Sequence, residues 1–192
     1  MGQPLRTPSS VLDHLRARTA TLHRELDASV PFGPGLTRGL YVRFLHATRE
    51  VVLDLEPRLP DWGEPSMLRR SDLLARDLET LTGEAAPSSN ARTDVALPTS
   101  SGAWGLAYVM EGSSLGGMVL APRIEALLGL ARGEGTAYLR FRGERTREAW
   151  NRFLVRLDDH DRERAGRERD EMIDAAEWAF RRYAESYARM SV

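Results

Sequence analysis

His23 and Asp27 are the two side chains whose spacing has the clearest chemical use. Because they are four residues apart, they lie on adjacent turns of one helix face, where the carboxylate can accept a hydrogen bond from the imidazole. A neutral histidine held in this way can offer its other ring nitrogen to a metal ion. The alternative is a histidine at the edge of the core whose only partner is Asp27, and the spacing alone leaves both interpretations open.

The helix that must carry this pair is predicted from Ser9 or Ser10 to about residue 27, because a serine there can cap the first turn. At 100° per residue, His23 lies about 20° from Leu12, so we expect it at the edge of the buried stripe rather than on the solvent face. Arg16 lies two turns earlier on the same side, roughly 10 Å along the axis. The apolar stripe consists of Val11, Leu12, Leu15, Leu22 and Leu26.

Three glycines, Gly112, Gly116 and Gly117, interrupt a second helix that is predicted from about residue 100 to about residue 128. Each glycine inside a helix costs ~1 kcal/mol relative to alanine, so the run indicates that the backbone itself has a task. Gly112 and Gly116 are four apart and leave one helix face without side chains. That face could lie flat against a planar ligand or pack against another helix, and the spacing favours neither.

Composition argues against several classes of function. The 192-residue chain has a net charge of −1 and no cysteine, which argues against nucleic-acid binding, disulfides and thiolate chemistry. All 27 basic residues are arginine, so a ligand carboxylate would be bound by a guanidinium. No apolar run approaches the ~18–20 residues of a membrane span, and no signal peptide is recognised. We expect a cytoplasmic monomer with one domain over residues 1–192, loose at residues 1–8, and no membrane or nucleic-acid partner.

The remaining apolar spacing is helical, without the alternation that is typical of strands. It predicts an all-α bundle of about six to eight helices. The run Asp158-Asp159-His160-Asp161 suggests metal ligands, but its spacing does not return two ligands to one helix face. A solvated acidic surface is therefore the favoured interpretation of this run, and Arg162–Glu171 is likewise expected to be an exposed face.

Two segments of the chain resemble the heme oxygenase family, in particular its bacterial, biliverdin-forming members. The first is Arg-Ala-Arg-Thr-Ala-Thr-Leu-His-Arg-Glu-Leu-Asp at residues 16–27, and the second is Tyr-Val-Met-Glu-Gly-Ser-Ser-Leu-Gly-Gly at residues 108–117. The resemblance implies an all-α, single-domain helical bundle in which a kinked, glycine-rich distal helix covers heme b, which is both substrate and cofactor. It implies that His23 ligates the iron, Asp27 orients His23, Arg16 binds a heme propionate, and Tyr108, Gly112, Gly116 and Gly117 belong to the distal helix.

The same resemblance implies an oxidoreductase that consumes O2 and electrons from an external donor and releases biliverdin, iron and CO. The donor would be a redox partner such as a ferredoxin or a flavin reductase, and a bilin-binding photoreceptor could accept the product. The alternative is a heme-binding or heme-delivery protein on the same fold without turnover. A di-iron enzyme is disfavoured, because no acidic residue precedes any histidine by three positions.

The chain departs from the family pattern in two places. Many members carry an aspartate directly after the first distal glycine, where this chain has Ser113. We therefore expect an ordered water held by Ser113 to deliver protons to the bound oxygen. In the family, an arginine on the later helix binds a heme propionate. This arginine has no clear counterpart here, and Arg152 and Arg156 are the candidates. The orientation of the heme, and with it the ring carbon that is cleaved, is left open.

Overall fold

The described part of the chain folds into a bundle of six α-helices. The structure is a computed structural model that describes residues 10–30, 32–59, 69–86, 99–164 and 166–191, and no strand occurs within these ranges. The predicted all-α class is confirmed. The predicted loose segment 1–8 lies outside the described residues. The helices are α1 (Val11–Ser29), α2 (Arg38–Leu55), α3 (Arg70–Thr82), α4 (Ser100–Leu128), α5 (Thr146–Glu163) and α6 (Arg169–Ala188), with short 3-10 turns at Glu56–Arg58, Gly143–Arg145 and Arg189–Ser191.

Helix α6 is the centre of the bundle, because α1, α2 and α4 all pack against it. Its apolar residues recur at helical spacing and cover more than one face, which suits a helix that is surrounded by neighbours. Helices α1 and α4 make few direct contacts with each other, so α6 separates them. None of the helices in the described part of the chain is long and apolar enough to cross a membrane. The buried residues of α6 include Met172, Ile173, Ala176, Ala179, Phe180 and Tyr183.

Helix α1 begins with a complete capping box, in which Ser10 and Asp13 each bond the other's backbone N–H. Its buried residues, Val11, Leu15 and Thr19, form a single row at intervals of four. The next two positions of that row are His23 and Asp27, and both are exposed. The row is therefore covered by the bundle over its first half and is open over its second half.

Helix α4 continues without interruption through its three central glycines. It begins after the N-cap Thr99 and ends at Gly129, whose φ of 66° is the left-handed conformation that glycine adopts without strain. Within the glycine segment, the Ser113 hydroxyl donates to the Met110 carbonyl oxygen at 2.8 Å. Such serine bonds to the preceding turn compete with the helix ladder and often bend helices. The kink expected from the family resemblance stays a prediction.

The connection between α4 and α5 is clamped by two carboxylates. Glu125 accepts hydrogen bonds from the Thr136 hydroxyl at 2.5 Å and from Arg140 at 2.6 Å, and the Arg140 bonds are the main reason why its pKa is lowered to about 2. Asp77 of α3 accepts the backbone N–H of Tyr138 at 2.8 Å, together with that of the preceding residue. These bonds fix Tyr138 between α3 and α4.

Candidate active site

His23 has one ring nitrogen engaged and the other available. Its Nδ1 lies 3.0 Å from Asp27 Oδ2, as the spacing of the two residues predicts. The imidazole and the Phe180 ring of α6 are in an edge-to-face arrangement, with ring centroids 5.6 Å apart. Among the described residues, no partner is found for Nε2. The expectation that His23 lies at the edge of the buried stripe was wrong, because its side chain is 60% exposed where the row beginning at Val11 opens.

Helix α4 presents an open face formed by Gly112, Gly116 and Val119. A Cβ atom built on Gly116 would meet nothing within 4 Å, and one built on Gly112 would meet only the Trp150 ring, at 3.8 Å. Val119, one turn after Gly116, is 71% exposed. This segment is therefore a stretch of helix whose backbone can be approached closely by a flat ligand.

Gly117 differs from its neighbour Gly116. A Cβ atom built on Gly117 would lie 2.4 Å from the carbonyl oxygen of Leu139, a distance at which the Leu139 backbone would have to move. Gly117 therefore permits close packing of the connection that carries Tyr138. The place of Gly117 in a distal helix that covers heme stays a prediction, and its packing contact explains why glycine is needed at this position.

The His23 segment and the residue that precedes the glycine segment both contact neighbouring turns of α6. Phe180 of α6 contacts His23, and the hydroxyl of Tyr183, one turn later, lies 3.3 Å from the sulfur of Met110. Met110 immediately precedes the open face that begins at Gly112. Helices α1 and α4 therefore meet through α6, which packs against both of them.

Aromatic side chains of α4 and α5 line the beginning of the open face. The Tyr108 and Trp150 ring centroids are 5.9 Å apart, and Trp150 stacks on Phe153 at 5.4 Å. Tyr108 and Trp150 are half-buried. This arrangement provides apolar contact surface beside Gly112, which suits a ligand with a large π-system.

The arginines proposed for ligand binding differ in their surroundings. Arg16 is exposed and forms no ion pair within the described part of the chain. Arg18, two residues later, is engaged by Glu177 of α6 at 2.9 Å. Arg152 pairs with Glu148, one turn earlier on α5, at 2.5 Å, and Arg156 is half-buried. Arg16 is therefore the candidate with the least competition for a ligand carboxylate.

Comparisons with known proteins identify the family and the fold of the chain. The family model described as heme oxygenase matches residues 9–189. The chain belongs to the heme oxygenase family. The structure of heme oxygenase from Leptospira interrogans matches with a TM-score of 0.74 at 19% identity, over 94% of this chain and 100% of that one. The NO- and CO-bound heme oxygenase from Neisseria meningitidis matches with a TM-score of 0.72 at 20% identity, over 95% and 92%. A search of curated protein sequences finds no match.

Sequence reasoning missed a group of hydroxyl side chains beside the glycine segment. The buried Tyr138 phenol lies close to the side chains of Tyr183 and Ser113, and burial raises the pKa of Tyr138 above its ordinary value. The three residues are separated by at least 25 positions, so no spacing rule connects them. Only the clamped connection after α4 brings Tyr138 to this position.

An ion-pair cluster behind α4 was missed as well. Glu111, which is buried, accepts hydrogen bonds from Arg70 of α3 at 2.8 Å and from Arg142 at 3.1 Å. The Arg70 guanidinium also lies 4.2 Å from the centroid of the Phe141 ring. The pairing of one carboxylate with two guanidinium groups stabilises buried charge that would otherwise be costly. The cluster anchors α4 to α3 and to the connection before α5.

The expectation of a solvated surface at residues 158–161 was wrong for His160. Its side chain is buried against Trp104, with ring centroids 4.8 Å apart, and its Nε2 lies 2.9 Å from Ser101 Oγ. Burial lowers the pKa of His160. The adjacent Asp161 is also buried, and it pairs with Arg169. Among the described residues, no group of three or more potential metal ligands is present.

Proposed function

We propose that this protein is an active heme oxygenase that opens the macrocycle of heme b and forms biliverdin, free iron and CO. Heme b is both substrate and cofactor, and the reaction consumes O2 and electrons from an external donor. The observation that carries the proposal is the row of α1 that is buried through Thr19 and opens at His23. There the imidazole is oriented by Asp27 and has an available Nε2.

Side chains of α1 and α5 fit the iron and the propionates of a heme. Nε2 of His23 would hold the iron, while Asp27 accepts the Nδ1 proton, which fixes the tautomer and increases the basicity of the ligand. Arg16, two turns earlier on α1, would bind a propionate. Arg152 and Arg156 are further candidates for the propionates from α5, although Arg152 would first have to give up its pair with Glu148.

The distal side would be formed by the open face of α4. Heme supplies the iron at which O2 is activated and the ring carbon that is oxidised. Gly112 and Gly116 let the backbone lie close to that ring, and Tyr108 adds aromatic contact at its edge. Residues 107–120 contain neither histidine nor arginine, and their one carboxylate, Glu111, is engaged by Arg70 and Arg142. The hydroxyl and backbone groups of this segment would therefore be the polar groups that the chain offers beside the ring.

The reaction requires partners that the chain does not supply. We propose that a small redox protein such as a ferredoxin, or a flavin reductase, delivers the electrons. A bilin-binding photoreceptor is a candidate acceptor of the product. Each proposal rests on the family resemblance and on the chemistry of the reaction, since the chain has no cysteine with which to carry electrons by thiol chemistry.

Heme titration followed by reduction in air tests the proposal. We expect the protein to bind heme with the absorption spectrum of a histidine-ligated complex. On addition of a reductant, the heme band should bleach and a bilin should form, identified by absorption and mass spectrometry. CO release, trapped with deoxymyoglobin, provides an independent readout.

The same experiment discriminates the alternative of a heme-delivery protein. Such a protein would bind heme through His23 and would retain an intact macrocycle after reduction in air. Stable heme with no bilin, across several chemical reductants and redox proteins, would therefore contradict the proposed activity. Hydrogen peroxide is omitted from this assay, because it can degrade heme without enzymatic control.

A further inference from the structure

A cavity lies between the end of α1, the turn that follows it and the second half of α4. Its volume is about 480 Å³, and its walls include residues 33–35 together with Val30, Phe32, Leu40 and Arg123. Small-molecule sites typically have this size, with mostly apolar walls and a few polar groups that orient the ligand. Arg123 brings the charged group to these walls, so the cavity suits an apolar ligand that carries an anionic group.

The turn that forms one wall of the cavity is held by the core. The Phe32 ring is buried edge-to-face against the Phe44 ring, with centroids 4.8 Å apart. The Leu36 N–H donates to the Gly33 carbonyl oxygen at 3.0 Å and closes the turn. Cβ atoms built on Gly33 and Gly35 would meet nothing within 4 Å, so both glycines leave space beside the turn. The cavity is therefore preformed, as ligand sites usually are.

Arg123 has no carboxylate that competes for it. Its side chain is exposed, and its guanidinium forms no ion pair within the described part of the chain. The acidic residue nearest to it in sequence, Glu125, is engaged by Arg140 at 2.6 Å. An incoming carboxylate could therefore bind the Arg123 guanidinium in the bidentate manner. The positions three and four residues away on α4 are all apolar: Val119, Leu120, Ala126 and Leu127.

Arg123 continues the open face of α4. On a helical projection it lies about 20° from both Gly112 and Gly116, and it follows Gly116 by roughly 10 Å along the axis. On α1, Val30 follows His23 by the same number of residues and lies about 20° from it. The cavity is thus displaced by two turns from the proposed iron site along both helices.

Arg16 marks the opposite end of the proposed heme site. It precedes His23 by two turns, so Arg16 and the cavity lie on either side of His23, each roughly 10 Å away along α1. Both propionates of heme leave the same edge of the ring. A ring centred on His23 can therefore place its propionates at Arg16 or at Arg123, but not at both. The two placements differ by a rotation of the ring in its own plane.

We propose that Arg123 is a second anchor for the heme propionates, and that its competition with Arg16 determines the rotation of the ring. The inference rests on the proposed function, and it gives a specificity role to a residue that the sequence analysis did not single out. The ring carbon that is cleaved, and with it the bilin isomer, then depends on which arginine holds the propionates.

The placement at Arg16 should be the major one in the natural protein. With the propionates there, the apolar edge of the ring would enter the cavity lined by Phe32 and Leu40, and apolar surface would be buried. With the propionates at Arg123, the apolar edge would lie at the exposed end of the site beside Arg16. The second placement is therefore the minor one while both arginines are present.

Heme affinity and the proton NMR spectrum of the ferric cyanide complex test the inference without turnover. Each placement gives its own set of heme methyl resonances. Arg16→Ala should weaken binding by about tenfold, the size of one charge-assisted hydrogen bond, and should make the Arg123 set the major one. In that background, Arg123→Ala should weaken binding by about tenfold more. Arg123→Ala alone should weaken binding by no more than about twofold and should remove the minor set.

Arg132→Ala is the matched control. Arg132 is also exposed and forms no ion pair among the described residues, and it does not line the cavity. Its removal should change neither affinity nor rotation, with or without Arg16. Heme dimethyl ester, which lacks both carboxylates, should bind the natural protein, Arg16→Ala and the double variant with equal affinity. Melting temperatures verify that each variant is folded.

The outcomes separate this inference from the proposed function. If adding Arg123→Ala to Arg16→Ala changed neither affinity nor the methyl resonances, the role of Arg123 would be overturned and the proposed function would stand. An equal loss in Arg132→Ala, or the same loss for the dimethyl ester, would also overturn it. Heme binding with the expected shifts but without bilin formation would support both anchors and contradict the proposed activity. If the natural protein binds no heme, both fall together.

Discussion

Helix α4 has a closed region around Gly105 and an open region around Gly116. Glycine and histidine have different surroundings in these two regions. In the closed region, a Cβ atom on Gly105 would lie within 2 Å of the carbonyl oxygen of Met172, and His160 is buried nearby against Trp104. In the open region, a Cβ atom on Gly116 would meet nothing, and His23 of α1 is exposed.

The difference between the two regions shows how residues that serve packing can be distinguished from residues that serve a ligand. A glycine against a backbone carbonyl is explained by the fold, whereas a helical glycine facing open space lowers helix stability without a packing gain. Likewise, His160 has both burial and a hydroxyl partner, while His23 has one nitrogen oriented and the other available. The residues that folding does not explain, His23 and Gly116, lie on α1 and α4, which both pack against α6.

The largest expected effect comes from removing the histidine of the open region. His23→Ala should abolish the spectrum of the histidine-ligated heme and lower bilin formation by about a hundredfold or more, since the iron loses its protein ligand. Added imidazole should restore part of both. The measurement is heme titration and single-turnover bilin yield.

The matched control is His160→Ala in the closed region. It should lower the melting temperature and keep the heme spectrum. If His160→Ala lost the spectrum while His23→Ala retained it, the assignment of the two regions would be reversed.

The adjacent glycines offer the next test. Gly117→Ala should destabilise the protein by about 1–3 kcal/mol, because its methyl group would overlap the Leu139 carbonyl. Gly116→Ala should instead stabilise it by about 0.5–1 kcal/mol, because alanine is the better helix former and space is open. Denaturant unfolding of the two variants measures this difference of sign.

Bilin yield on the same variants completes the glycine comparison. Gly116→Ala should slow or divert turnover while heme stays bound through His23, because its methyl group would point at the ligand. Normal turnover in Gly116→Ala would remove the evidence that the open face of α4 approaches heme.

A smaller effect is expected at the arginines of α1. Arg16→Ala should weaken heme affinity by about tenfold, the size of a charge-assisted hydrogen bond, and should mix the bilin isomers if the propionate fixes rotation. Arg18→Ala should leave affinity unchanged, because Arg18 pairs with Glu177. Fluorescence quenching by heme and isomer analysis provide the readouts. Equal affinity for the natural protein and Arg16→Ala would mean that another arginine binds the propionate.

The smallest effect concerns acid stability in the closed region. Because burial lowers the pKa of His160 in the folded protein, the unfolded chain takes up this proton first as the pH falls below about 6.5. This contribution to stability is present above that pH and is lost as the pH falls through the lower, folded-state pKa. Between pH 8 and 5, the free energy of unfolding should therefore change less with pH for His160→Gln than for the natural protein. The same dependence on pH in both proteins would show that other groups dominate acid unfolding.

The sequence by itself determined the helical class, the pairing of His23 with Asp27 and the importance of the glycine run. These follow from local rules: residues four apart meet on a helix face, and glycine costs helix stability wherever it stands. The N-cap at Ser10 and the left-handed end at Gly129 are equally local. For such features the chain needs no distant partner.

Only the tertiary structure decided which glycines and histidines are packed against other segments and which face open space. Gly116 and Gly117 are indistinguishable by propensity, and they differ because Leu139 packs on one of them alone. His160 was predicted in a solvated run, and it is buried because α4 covers it with Trp104 and Ser101. Tyr138 reaches Ser113 because Asp77 and Glu125 clamp the intervening connection. Exposure and long-range hydrogen bonds depend on which segments pack together, and spacing along the chain does not contain that information.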